Sequence, residues 1–478
     1  MRPDGLENNF YFGGGRQDSF MTPVSLGILL LACILILTLK RKYMIVPLMM
    51  ATLILPPENQ LVLLGTHFAV GRILIFLGWI RVLWNGFING SDPYPGPLTT
   101  VDKVFTFWTL SAATFYALHW MDFGALFNRL GFVYSALGMY FLLRYLIRDR
   151  EDVFRTIKII GIVMIPIAVT MWIEHSTGKN PMALLGAPDV SEMRGGSVRA
   201  QGPFGHPIIA GTFAAMLVPL ILSLWREGKG NRLVGGLGLV ACTIITITSA
   251  SSTPLLTYVA AVGCLCLWTF RNYLRIFRWG LVLFLIVVQV FMKVPVWFLI
   301  NRMSGLTGGT GWHRAELIDQ FVRHFGEWWL IGTSNNADWG LDMWDSINAY
   351  VRAGVEGGLL TLILFIALLV VAFKKIGIAR RLSEGEIKDE RFMWAMGSTL
   401  FANTIAFFGI IYFDQSYIGW YAVLVMISVM SASIIESKQD PQELEFEFPL
   451  GRTEKTQTTP VSPAIGQLPA YEKRLKFQ

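Results

Sequence analysis

Between two positions that end an outer loop, the chain reads Arg194-Gly-Gly-Ser-Val-Arg199-Ala-Gln-Gly-Pro-Phe-Gly-His206-Pro207. Arginine offers a planar fork of donors that fits phosphate oxygens. Glycine lets backbone approach a ligand closely, and a helix that opens at Pro207 turns its positive end toward anions. Together Arg194, Arg199, His206 and these glycines suit a diphosphate at a membrane surface. The plainer reading is an interfacial loop whose arginines meet lipid headgroups.

A second group lies further along. Gly311 to Val322 reads as a short amphipathic helix, with Leu317, Ile318, Phe321, Val322 and Phe325 on one stripe. Arg314 precedes Ile318 by one turn and projects from that apolar side. It either snorkels to headgroups or enters a pocket and pairs with an anion. Arg352 lies one turn inside the next apolar block, and Glu356 follows four residues later, so the two can pair along one face. Ionisable groups within a membrane helix are costly and face a cavity or a partner. Arg72 and Glu174 raise the same question. None of the six histidines, His313 and His324 among them, is spaced from another as a metal ligand would be, so neither metal nor cofactor is expected. No nucleophile elbow, Walker loop or paired-Asp signature is present, which argues against a serine hydrolase or an ATPase.

The elements that must hold these residues follow from composition. Of 478 residues, 53% are hydrophobic and 15% charged, too apolar a balance for a soluble domain. Apolar blocks fall near 22–39, 43–57, 61–84, 104–119, 127–147, 155–175, 206–225, 232–249, 252–269, 277–299, 347–373, 392–412 and 416–436. Most are long enough to cross about 30 Å of hydrocarbon as helices, whereas a β-barrel needs alternating segments of about ten residues. The expectation is an all-α integral membrane protein of 12 or 13 transmembrane helices, because the second block is short and closes at Pro56-Pro57. The net charge of +7 reflects basic cytoplasmic loops rather than nucleic-acid binding. The four cysteines lie in apolar blocks and imply neither a disulfide framework nor a zinc site. The first apolar block reads as a retained anchor rather than a cleaved signal.

Basic clusters at Lys40 to Lys42, Arg148 to Lys158, Arg226 to Arg232, Arg271 to Arg278 and Lys374 to Arg391 occupy alternate connections and belong in the cytoplasm. With thirteen crossings the amino terminus lies outside; with twelve, inside. Residues 1–21 form a polar leading segment, 22–436 the membrane domain, and 437–478 a disordered cytoplasmic tail. Two long loops, about 174–205 and 301–346, lie on the opposite face, and the second is rich in tryptophan.

This pattern resembles the bacterial O-antigen ligase and O-antigen polymerase superfamily over most of the chain. Three stretches carry the resemblance: Arg199 to Pro207 leading into an apolar helix; Arg314 opening the interfacial helix, with Leu330-Ile331-Gly332 after it; and Asp345-Ser-Ile-Asn348-Ala-Tyr350 followed by Gly354-Val-Glu-Gly357-Gly358-Leu359. The resemblance implies metal-independent glycosyl transfer at the periplasmic face of the inner membrane, from a glycan on undecaprenyl pyrophosphate to a growing glycan. It implies partners in a chain-length regulator and other polysaccharide-assembly proteins. Arg199 and Arg314 match the two diphosphate-binding arginines, which would neutralise charge growing on the leaving group. Ligases of the family carry a histidine just before the asparagine matched by Asn348, and here that position is Ile347. Asp345, Glu356, His313 and His324 are the alternatives for the base that takes the acceptor proton.

The departure at Ile347 favours a polymerase of repeat units, for exopolysaccharide or O-antigen, over a ligase that transfers to an acceptor lipid. A transporter is the remaining alternative. It would use intramembrane Arg72, Arg352 and Glu356 and would contain broken helices.

Overall fold

The computed structural model describes residues 18–63, 66–90, 96–299, 311–344 and 346–438. Asp345, nearly all of the polar leading segment and nearly all of the expected tail lie outside the described residues. Among the described residues 77% are helical. In chain order the helices are α1 (Pro23–Thr38), α2 (Arg41–Ile54), α3 (Val70–Asn89), α4 (Thr100–Trp120), α5 (Phe123–Leu146), α6 (Arg150–Thr177), α7 (Pro207–Leu224) and α8 (Lys229–Thr248). They continue as α9 (Ser252–Cys266), α10 (Leu274–Phe291), α11 (Gly311–Arg323), the single turn α12 (Phe325–Trp328), α13 (Ala349–Leu382), α14 (Ile387–Ala406) and α15 (Gln415–Lys438).

Eight helical stretches among the described residues are long and apolar enough to cross a membrane, counting α9 and α10 as the one stretch Ser252–Phe291. Many present apolar side chains outward. On α10, Leu281, Leu283, Phe284 and Ile286 are all exposed, and no residue of the helix is buried. Such a surface is stable only where lipid or another protein covers it. The interior is formed by α7, α14 and α15, where Phe213, Leu217, Met396, Val423 and Ile427 are buried together.

Polar residues mark the helix starts. Thr22, Asp122, Asp149 and Asn348 accept backbone N–H groups at the ends of α1, α5, α6 and α13, and Thr99 forms a capping box with Asp102. Asp102 is itself fully buried and accepts from Tyr140 Oη at 2.6 Å and Ser428 Oγ at 3.1 Å.

Two short hairpins depart from an all-helical reading. The apolar block expected at 61–84 begins as β1 (Gln60–Leu63) and β2 (Thr66–Ala69), paired antiparallel, and the helix starts only at Val70. Hydropathy alone does not separate a short strand from a helix turn. In the first outer loop β3 (Glu192–Arg194) pairs with β4 (Ser197–Arg199), and Gly195-Gly196 makes the turn with φ of 57° and 81°. Two consecutive positive φ values are the geometry that a two-residue hairpin demands. These glycines therefore serve the turn rather than the approach of a ligand.

The second outer loop docks on α13. That helix is broken at Gly358, where φ is 70° and ψ −173°. Backbone from the loop fills the break: Leu359 N donates to Trp329 O at 2.8 Å and Thr333 N to Val355 O at 2.8 Å. Leu317 and Phe321 of α11 are buried with Trp328, Val351 and Val355, whereas Val322 and Phe325 are exposed. The stripe on α11 is thus divided, and protein rather than a bilayer covers half of it.

Candidate functional site

The first outer loop is fastened to the end of α6. Glu174, fully buried, accepts from Gly202 N at 2.8 Å, Ser191 Oγ at 2.9 Å and Gln201 N at 3.1 Å. His175 Nδ1 meets the Val198 carbonyl at 2.7 Å. The charge at Glu174 that looked costly in the sequence is satisfied by the loop it positions.

Hairpin register sets Glu192 opposite Arg199, and their side chains pair at 2.6 Å. Arg199 is buried and sends its other terminal nitrogen to Ser251 Oγ at 2.8 Å. Ser251 stands at the start of α9 but makes no side-chain cap bond there. Two residues on, Thr253 Oγ1 accepts from Arg314 Nη2 at 2.7 Å. Arg314 is buried, so it enters the protein rather than snorkelling. Both arginines thus dock on the first turn of one helix, and both keep a buried Nε without a hydrogen-bond partner. The amide end of α9 adds partial positive charge to theirs. Burial, and then the nearby charge of Arg194, lower the pKa of Arg314, although a guanidinium stays protonated at any biological pH. Two guanidiniums docked on one helix start, with the charge of Arg194 felt at Arg314 and Glu192 as a counter-ion, form a cradle for an anion bearing several oxygens.

His206 caps α7. Its Nδ1 accepts from Ile208 N at 3.2 Å, and its Nε2 lies 3.9 Å from Glu192. Burial, then the charge of Arg199, hold its pKa below the usual histidine value against the opposing pull of Glu192. The ring is neutral at pH 7, with its proton on Nε2.

Asn348 was expected among the catalytic groups, but the structure gives it a different task. Its Oδ1 accepts from Tyr350 N and Val351 N at the start of α13, and its Nδ2 donates to Phe408 O at 3.3 Å. It is fully buried with its amide engaged by backbone, so it joins α13 to the turn after α14. That turn also reaches the arginines: a β-carbon on Gly409 would stand 3.2 Å from Arg314 Nε. His313, beside Arg314, is buried with no partner for Nδ1.

Arg352 and Glu356 pair at 2.7 Å, and Arg129 of α5 joins them at 3.3 Å from Glu356. Among the described residues no hydrogen bond or ion pair joins these three to Arg199 or Arg314. Arg352, Arg129 and Arg72 line a cavity of about 1230 Å³ with Glu58, Gly205, Asp414 and Tyr417. Among the described residues no group of three or more His, Cys, Asp or Glu could hold a metal ion.

No family model matches the chain, and no curated protein matches it.

Sequence reading missed Glu192, Ser251, Thr253, Glu58 and Asp414. The run Ser251-Ser252-Thr253-Pro254 is a helix-start signature and pointed to the end of α9. Nothing local to Glu192 or Asp414 marks them, because their importance comes from what the fold lays beside them.

Proposed function

We propose that the chain is a membrane glycosyltransferase that polymerises lipid-linked oligosaccharide repeat units for exopolysaccharide or O-antigen. The donor is a glycan on undecaprenyl pyrophosphate, and transfer takes place at the periplasmic face of a bacterial inner membrane without metal. The observation that carries the reading is the docking of Arg199 on Ser251 and Arg314 on Thr253 at the start of α9, each with an unpartnered Nε. A diphosphate leaving group gains charge as its bond to the sugar breaks, and pre-set donors lower the barrier most where charge grows. Among the described residues thirteen helices have fourteen or more residues; reading each as a crossing gives both long loops and the turn after α14 a common face, in keeping with a single site there.

Ile347 supports a polymerase rather than a ligase, since it packs beside Leu317 and Val351 and brings no titratable group. The transporter reading draws support from the break at Gly358 beside charged Glu356. That break is closed by hydrogen bonds from residues 329–333. Reconstitution with a synthetic lipid-linked repeat unit separates the three. Lengthening of the glycan supports the polymerase, transfer to a second lipid without lengthening supports the ligase, and translocation alone supports the transporter. Undiminished elongation by Arg199→Ala and Arg314→Ala proteins made at normal levels would overturn the assigned roles.

A further inference from the structure

Glycosyl transfer needs a group that takes the proton from the acceptor hydroxyl, and most residues first considered for it are engaged elsewhere. Both oxygens of Glu356 pair with arginines. His324 donates Nδ1–H to Gln320 O at 2.9 Å, which leaves Nε2 basic, but its ring lies flat on Trp339 and does not line the large cavity. His206 uses Nδ1 as a cap acceptor, so its other nitrogen carries the proton and has no lone pair to offer.

Asp414 is different. It stands between α14 and α15 with φ of 50°, a strained conformation for a residue with a side chain. Its neighbour Gln415 donates to Pro203 O at 2.8 Å and Leu55 O at 3.2 Å, tying three connections together. A β-carbon on Gly205 would lie 2.5 Å from Asp414 Oδ2, so the carboxylate rests directly on that backbone. Among the described residues it has neither a salt bridge nor a side-chain hydrogen bond. It lines the cavity of about 1230 Å³, which exceeds the roughly 300–1,000 Å³ of small-ligand pockets and has room for an oligosaccharide. Glu58 lines the same wall, and its Oε2 is buried without a partner. The other charged and titratable groups there are Arg72, Arg129 and Arg352, with His67, Asp122, Tyr134, Tyr417 and Tyr421. Asp414 keeps an exposed face toward the cavity, yet the desolvating walls around it hold its carboxyl up at about 6, and burial together with the Asp414 charge raises Glu58 as well. A carboxylate poised near neutral pH is a more effective base than an ordinary one. Gly205 leads directly into His206, which faces Glu192 and so the Arg199 pair.

We propose that this cavity holds the acceptor glycan and that Asp414 is the catalytic base. This rests on the glycosyl-transfer reading above. The acceptor hydroxyl gives its proton to Asp414 while its oxygen bonds to the anomeric carbon of the donor. The bond from that carbon to the diphosphate oxygen breaks, and its electron pair leaves with the polyprenyl diphosphate, held by Arg199 and Arg314. The proton then passes from Asp414 to water.

The test uses the full-length protein in proteoliposomes, with a synthetic lipid-linked repeat unit, from pH 5 to 8. Wild type is expected to lose kcat on the acid side with a midpoint near 6. Asp414→Asn should lower kcat on the order of 100-fold, keep KM within about threefold, and abolish that acid limb; Asp414→Glu should recover part of the rate. An acid limb that persists in Asp414→Asn, or that vanishes in His313→Gln instead, overturns the assignment. Should Asp414→Asn not fold, wild type decides: no acid limb between pH 5 and 7 overturns it. Elongation by wild type with an unaffected Asp414→Asn sinks the base alone, whereas no elongation by wild type sinks the polymerase reading and the base with it.

Discussion

Glu192 and Arg199 face each other across a two-residue hairpin and pair at 2.6 Å, so the arginine best placed for a diphosphate already holds a carboxylate. Glu192 is about half exposed, which limits the strength of that pair. An arriving diphosphate must displace or share it. Glu192→Gln is expected to tighten inorganic pyrophosphate by up to about fivefold, the equivalent of about 1 kcal/mol. Arg199→Ala should weaken it at least about tenfold through loss of charged hydrogen bonds. Titration calorimetry at low salt measures both, and an unchanged Kd in Glu192→Gln would show that the carboxylate does not compete.

Arg314 reaches the same helix end through Thr253. Arg314→Ala should slow elongation on the order of 100- to 1,000-fold, the usual cost of removing a donor from a developing anion. Thr253→Val removes only the hydroxyl that aims the guanidinium and should cost about fivefold. Equal losses in the two variants would mean that Thr253 does more than orient its neighbour.

The mostly helical architecture with apolar helices long enough to cross a membrane was legible from the apolar blocks. Arg314 could be assigned to the apolar side of its helix because Ile318, Phe321 and Phe325 fix that face. The helix start at Pro207 was equally plain, since proline acts within one turn of where it stands. The β3–β4 hairpin was hidden because its strands are three residues each, too short for alternation to register. Asp414 was hidden for another reason. It gains its setting from Gly205 and Gln415, and Gln415 in turn from Leu55 and Pro203, positions remote in sequence.

Asp414 also carries a consequence for stability. Its pKa is raised from 3.8 to about 6 in the fold, so the protonated form is the one folding favours. The stabilisation is complete below pH 4 and is lost as pH rises through 6. Asp414→Asn keeps the shape without the charge and relieves Glu58 of a negative neighbour. Its melting temperature should match wild type near pH 4 and exceed it at pH 7.5. A constant difference across that range would show that Asp414 does not titrate in the fold.

Gly358 and the loop that fills its break make a sharper structural test. With φ of 70° and ψ of −173° the position belongs to a region that glycine alone occupies comfortably. A β-carbon there would stand 2.6 Å from Leu330 O. Gly358→Ala should destabilise by about 3 kcal/mol or more and lower the melting midpoint in detergent. An unchanged midpoint would mean that α13 straightens at no cost.

The same break has a consequence for biogenesis. Leu359 N and Val355 O find their partners in Trp329 and Thr333, which on the topology proposed above leave the ribosome earlier but must first be exported across the bilayer. Until residues 311–344 are outside and packed, α13 enters the membrane with backbone groups that have nothing to bond. Export of the preceding segment is therefore a precondition for completing this helix, and a delay in translocation would strand α13 as an exposed, degradable intermediate.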